Sequence, residues 1–153
     1  MEQETQLLLN DVNRAIIKFR GIYSEWSKKH NISYNEMLVL YTIRNNGYCT
    51  QKQICENYLL PKQTINHVIV NMLKNGLLRD SLKYNTGRQK AFELSEKGEN
   101  YARPLLDSIS RVEEKAVLSM DKDKLGKMIS LICEYDRVLK NALEEDSKTL
   151  WKN

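Results

Sequence analysis

Pro61-Lys62-Gln63-Thr64-Ile65-Asn66-His67-Val68-Ile69-Val70-Asn71-Met72-Leu73-Lys74-Asn75-Gly76-Leu77-Leu78 reads as one helix and its exit. Ile65, Val68, Ile69, Met72 and Leu73 recur at spacings of three and four, which puts one apolar stripe on a helix. Proline suits the first helical position, because the N–H it lacks would have no partner inside the helix. Gly76, following Asn75, stops the helix. At 100° per residue the face opposite the stripe carries Gln63, His67, Val70 and Lys74, with Asn66 on one flank and Asn71 and Thr64 on the other.

Immediately upstream, Thr50 caps a short helix over roughly 50–57 that contains Ile54 and Cys55, and Leu59-Leu60 makes the turn. A short helix, a tight turn and a second helix form a helix-turn-helix, whose second member fits the major groove of DNA. Downstream, Leu77 to Tyr84 reads as a strand, Asn85-Thr86-Gly87-Arg88 as a turn, and Gln89 to Leu94 as a returning strand. Two strands alone are marginal in water, so this hairpin must lean on the helices.

Further out, Leu8, Val12, Ala15, Ile16, Phe19, Ile22, Tyr23 and Trp26 mark an amphipathic helix over roughly 5–29. Ser33 and Glu36 make a capping box for a buried helix carrying Met37, Leu38, Leu40, Tyr41 and Ile43, ended by Gly47. Ser95 caps a long helix whose stripe of Leu105, Ile109, Val112 and Ala116 runs past a kink at Pro104. Asp121 caps a last helix carrying Leu125, Met128, Ile129, Ile132, Tyr135, Val138, Leu139 and Ala142. The fold class is mainly α with a small β-hairpin. Both ends are long amphipathic helices whose broad apolar faces one small domain can hardly cover, which points to pairing with a second copy.

With 153 residues, 41% hydrophobic and 29% charged, the chain has the composition of one soluble globular domain. Six Gly and two Pro argue against a loop-rich sandwich, and no apolar run is long enough for a membrane span. No signal-peptide pattern follows Met1, and three spaced Cys make neither a disulfide framework nor a zinc site, so the expected place is the cytoplasm. The net charge of +4 is unevenly spread. From Asn57 to Phe92 there are six cations (Lys62, Lys74, Arg79, Lys83, Arg88, Lys90) against Asp80 alone, while the remaining residues hold 18 cations and 19 acids. A basic segment coinciding with a helix-turn-helix and a hairpin suits a polyanion, above all duplex DNA.

The polar face has the chemistry of base reading. Gln63, Asn66 and Asn71 can pair with adenine edges, Lys74 can reach guanine, Val70 can meet a thymine methyl group, and His67 lies among them. Thr64, the free N–H groups near Pro61, Lys62, and Thr50 with Gln51 are candidates to hold phosphate. Lys83, Arg88 and Lys90 sit around the hairpin tip, where a narrow basic arm suits an A·T-rich minor groove. Plain solvation explains a polar helix face equally simply, but the absence of acids from Asn57 to Arg79 weighs against it.

The run from Pro61 to Leu78, with Gly87-Arg88-Gln89-Lys90-Ala91-Phe92-Glu93-Leu94-Ser95-Glu96-Lys97-Gly98, resembles the recognition helix and wing of the MarR family of bacterial transcriptional regulators. The resemblance covers nearly the whole chain. It implies a single winged helix-turn-helix domain over 1–153, with a DNA-binding lobe at roughly 33–98 between dimerisation helices at roughly 1–30 and 100–153. It also implies a homodimer on a pseudo-palindromic operator, usually as a repressor, released by a small phenolic or lipophilic ligand or by thiol oxidation. Arg88 matches the wing-tip arginine. Thr86 stands where the family often has the Asp that braces that arginine.

Other readings are weaker. There is no Walker loop, GxGxxG, HExxH or GxSxG, and His30 and His67 form no ligand cluster, so no enzyme, metal or cofactor is expected. A thiol-redox regulator would use Cys49, Cys55 or Cys133. Of these, Cys49 lies near a helix N-terminus, which lowers thiol pKa. The peroxide-sensing branch of the family places its reactive Cys in the first helix, and this chain has none there. Tyr23, Trp26, Tyr34, Met37 and Tyr41 either border an effector pocket or pack as core. Packing is the expectation, and the effector site stays unassigned. A winged-helix module that binds only protein is the remaining alternative.

Overall fold

The computed structural model describes residues 3–86 and 89–150. Along the chain come α1 (Gln3–Lys29), α2 (Tyr34–Asn46), β1 (Cys49–Thr50), α3 (Gln51–Tyr58), α4 (Lys62–Lys74), β2 (Leu78–Asp80), β3 (Ala91–Leu94), α5 (Glu96–Leu118) and α6 (Lys122–Leu150). The chain divides into two compact units, Met1–Asp107 and Ser108–Asn153.

In the first unit the core forms where α2, α3, α4 and the sheet converge. Val39, Leu40, Cys49, Ile54 and Ile65 are wholly buried there, with Ile69, Met72, Leu78, Phe92, Leu94, Ala102 and Leu106 around them. The helix ends follow their sequence with two departures, at Ser33 and Glu36, where only the Ser33 half of the expected capping box forms, and at Pro61. Ser33 Oγ accepts the Glu36 N–H at 3.0 Å, while the Glu36 carboxylate accepts the Tyr101 hydroxyl at 2.8 Å. Gly47 takes φ +80°, and its N–H closes α2 on the Ile43 carbonyl. Thr50 and Gln53 make a full capping box at the head of α3. Pro61 sits one position outside the expected place: it is the N-cap of α4, with extended backbone, rather than its first helical residue.

The sheet has three antiparallel strands in the order β1-β3-β2. The sequence pointed to two. β1 is only two residues long, too short to show alternation, and it pairs Cys49 with Phe92 and Thr50 with Ala91. The strand expected from Leu77 to Tyr84 ends at Asp80, and the one expected from Gln89 begins at Ala91. Side chains take over the ladder there. Ser81 is buried, its Oγ accepts the Tyr84 N–H at 3.3 Å, and Asn85 Oδ1 accepts the Ala91 N–H at 2.7 Å. Beyond these, Thr86 and Gln89 form a single bridge.

A second, smaller cluster joins α1 to the rest of this unit. Ile32, Met37 and Leu38 are buried under Tyr23, Trp26, Tyr34, Tyr58 and Tyr101. Pro104 lies inside α5, where the Asn100 carbonyl loses its helical donor. In the second unit Asp121 caps α6, its Oδ1 accepting the N–H groups of Asp123 and Lys124 at 3.0 and 3.1 Å.

The exit of α4 is the tightest point of the fold. Gly76 turns the chain at φ +69°. The head of α5 then closes on it. Ser95 Oγ donates to the Gly76 carbonyl, the Ser95 N–H to Leu77 O at 3.0 Å, and Lys97 Nζ to Asn75 O at 2.8 Å. A Cβ on Gly98 would lie 1.9 Å from the Leu77 carbonyl oxygen. That obstacle is backbone, so no rotamer change relieves it. Gly98→Ala is expected to destabilise by about 2 kcal/mol, overpacking outweighing the ~1 kcal/mol gained in helix propensity. Urea unfolding measures it. An unchanged or raised midpoint would mean that the two backbones are not this close.

Candidate nucleic-acid interface

α4 buries Ile65, Ile69 and Met72 and turns Lys62, Gln63, Asn66, His67, Val70, Asn71 and Lys74 to solvent, with Thr64 half-buried at the edge. These are the residues that helical spacing places opposite the core stripe. His67 Nε2 and Asn71 Nδ2 lie 3.0 Å apart, one turn along the helix.

The head of α4 is open. Pro61 offers no side-chain cap, and the first turn holds no acid. The first-turn N–H groups therefore carry the positive end of the helix dipole without a neutralising partner of their own side chains. The turn before α4 is fixed from both sides. Gln51 Nε2 donates to the Lys62 carbonyl at 2.8 Å, and Leu59 closes α3 in the left-handed region at φ +52°.

Two residues expected to hold phosphate are otherwise engaged. Thr50 is only 8% exposed, and its hydroxyl accepts the Gln53 N–H at 3.1 Å and Gln89 Nε2 at 2.8 Å. Gln51 spends its amide on the turn. Their signal was their place at the head of α3, which equally describes a helix cap.

Around the wing, Lys83 and Lys90 are exposed. Lys83 Nζ lies 4.9 Å from the centre of the Tyr84 ring, and a hydrogen bond to the Tyr84 side chain, with that residue's charge, raises its pKa. Arg79, one of the six cations of the basic segment, is exposed on β2 and pairs across the sheet with Glu93 at 2.9 Å. Arg88 lies outside the described residues, as does Gly87. Sequence reading missed Tyr48 and Tyr84, whose rings stack at 4.2 Å and 12°. Nothing in the local pattern links two tyrosines so far apart in the chain.

The thiol expectation is corrected. Cys49 stands before α3, but it is fully buried in the core, and burial pushes its thiol up to about 12 instead of lowering it. Cys55 is half-buried against the same core, and Cys133 is exposed. Tyr23, Trp26, Tyr34 and Met37 pack in the smaller cluster and Tyr41 against the main core. Among the described residues no group of His, Cys, Asp or Glu is placed to hold a metal ion, and no helix is long and apolar enough to cross a membrane.

No protein-family model and no curated protein sequence matches the chain. Solved structures do. A MarR family regulator from Neisseria meningitidis is 25% identical and superposes with a TM-score of 0.81, over 95% of this chain and 99% of that one. The MarR protein of Staphylococcus aureus, in complex with salicylate and kanamycin, is 19% identical over 92% of this chain and 95% of its own, with a TM-score of 0.66. A putative MarR family regulator of Listeria monocytogenes, complexed with a 26mer DNA, is 16% identical over 87% of this chain and 89% of its own, also with a TM-score of 0.66. The six helices and three-stranded sheet described here are the winged-helix fold these proteins share.

The burial of Cys49 carries its own expectation. With its pKa near 12, on the order of one Cys49 in ten thousand is a thiolate at pH 8. Iodoacetamide at that pH should leave Cys49 unmodified in the folded protein and alkylate it fully in urea, as read by peptide mass mapping. Rapid native labelling of Cys49 would contradict its burial.

Proposed function

We propose that this chain, a member of the MarR family of winged-helix transcriptional regulators, acts as a cytoplasmic homodimer that represses transcription by holding a pseudo-palindromic operator. The observation that carries the reading is α4: an acid-free outward face of Gln63, Asn66, His67 and Val70, bracketed by Lys62 and Lys74, on a helix whose head is open to phosphate. In this reading Gln63, Asn66, His67 and Val70 meet base edges in the major groove. Lys74 reaches a guanine edge, Lys62 and Thr64 meet phosphates, and Lys83, Lys90 and Arg88 reach the neighbouring minor groove. Thr50 and Gln51 leave the contact set and position α3 against α4. The DNA held by the Listeria relative supports a duplex as the ligand.

Dimerisation has its own support. Along α1, Leu8, Phe19 and Ile22 are each about three-fifths exposed, and along α6 so are Ile129 and Ile132. A monomer that left such stripes in water would be prone to aggregate. These stripes support the terminal helices as the interface. Release by a small aromatic or lipophilic molecule is the regulatory step we favour. The salicylate in the Staphylococcus relative supports that class, and the burial of Cys49 removes one thiol from the redox alternative.

Fluorescence anisotropy with duplex DNA from the chain's own upstream region, against a scrambled duplex and across a salt series, tests the reading. Tight, salt-steep binding that prefers the upstream duplex is expected. Lys62→Ala should weaken both duplexes alike and flatten the log–log salt slope by about 2, one phosphate per protomer. Asn66→Ala should instead lose preference, by about 1–3 kcal/mol per half-site. No binding of the unaltered protein at low salt would sink the proposal. Ile129→Glu with Ile132→Glu should shift the protein from dimer to monomer in sedimentation velocity, and an undisturbed dimer would move the interface elsewhere.

A further inference from the structure

Ten residues separate β2 from β3, and within the described part of that stretch the only strand-like pairing is the Thr86–Gln89 bridge. A ribbon that short has no rigidity of its own. Three contacts tie it down. The Tyr84 ring lies flat on Tyr48, 4.2 Å between centres and 12° between planes. Gln89 Nε2 donates to Thr50 Oγ1 at 2.8 Å, and Asn85 Oδ1 accepts the Ala91 N–H at 2.7 Å. Two of the three end on Tyr48 and Thr50, which lie in or beside β1. Thr50 Oγ1 also accepts the Gln53 N–H, so the hydroxyl that anchors the wing is the one that caps α3.

We infer that Tyr48, Tyr84 and Gln89 are positioning residues that fix the wing to the first helix of the helix-turn-helix, so that wing and α4 meet a duplex as one preorganised body. The inference rests on the DNA-binding reading above. Its physical content is that ordering a loose wing on DNA would cost affinity at the moment of binding, and these contacts make that ordering a property of the free protein. Lys83, standing over the Tyr84 ring, is carried on the same stalk, so the stack also sets where a cation projects.

The test combines two measurements on the full chain carrying Tyr84→Ala, Tyr48→Ala or Tyr84→Phe, with thermal melts confirming folding. Amide hydrogen exchange of the segment 82–91 in the free protein reads the tether without DNA. Losing the stack should speed exchange there about three- to tenfold in the Ala variants, and Tyr84→Phe, which keeps the stack, should restore protection. Footprinting on the preferred duplex reads the consequence. The Ala variants should lose hydroxyl-radical protection where the wing reaches the minor groove, yet keep dimethyl sulfate protection of guanine N7 in the major groove, with overall affinity down about three- to tenfold. Unchanged exchange would overturn the tether. Faster exchange with full minor-groove protection and unchanged affinity would overturn its role in binding. Equal loss in both grooves would mean a general structural defect and overturn it too. If the unaltered protein binds no duplex, the regulator reading fails and takes the positioning role with it, while the exchange data still report whether the stack holds the wing.

Discussion

The backbone contact between Gly98 and Leu77 is the constraint on which the rest of the first unit depends. α4 presents a fixed set of side chains only if both its ends are held. Its head is held by Gln51 on the Lys62 carbonyl. Its tail is held by α5, through Ser95 and Lys97 on the carbonyls of Gly76, Leu77 and Asn75. Those hydrogen bonds form only because α5 approaches to the distance that a missing Cβ permits. The same approach sets where β2 begins, hence the register of Leu78 on Leu94 and of Arg79 on Glu93. The last carbonyls of α4 are closed by its own exit turn, Asn71, Met72 and Leu73 accepting the N–H groups of Asn75, Leu77 and Gly76, and the head of α5 then satisfies the carbonyls of that turn.

What the sequence made legible follows the range over which each signal acts. Helix starts and stops are local chemistry, and Ser33, Thr50, Ser95 and Asp121 all cap where their patterns place them. The outward face of α4 follows from the 3.6-residue period alone. β1 was not legible, because two residues have no period and its strand character comes from pairing with Phe92 and Ala91 some forty positions on. The wing strands were read too long for a related reason. No breaker interrupts the run from Leu77 to Tyr84, but the side chains of Ser81 and Asn85 accept backbone N–H groups in place of a ladder. Thr50 shows the limit at the site. A hydroxyl at a helix start serves equally well as a cap or a phosphate ligand, and its burial under Gln89 is not written in the local sequence.

Cys49 and Arg79 make the same point about charge and reactivity. Position along the chain puts Cys49 before a helix, where a thiolate is favoured, yet the core around it excludes water and the desolvation cost wins. Formal charge puts Arg79 in the basic segment, yet Glu93 lies opposite it across the strand pair. The positive surface that remains divides by location. Lys62 and Lys74 stand at the two ends of α4, and Lys83 and Lys90 stand on the wing. Net charge counts all of these alike, but only their attachment to separate rigid elements gives them a geometry.

The exposed stripes of α1 and α6 have a consequence of another kind. In the proposed dimer, a helix face covered only when two chains meet ties the folding equilibrium to the amount of protein present. Such a chain has no single melting temperature: dilution alone lowers it, and a cell that makes few copies holds each of them nearer to unfolding than a concentrated sample suggests. On the proposed function, abundance would act twice, through the occupancy of an operator and through the survival of the molecule that occupies it.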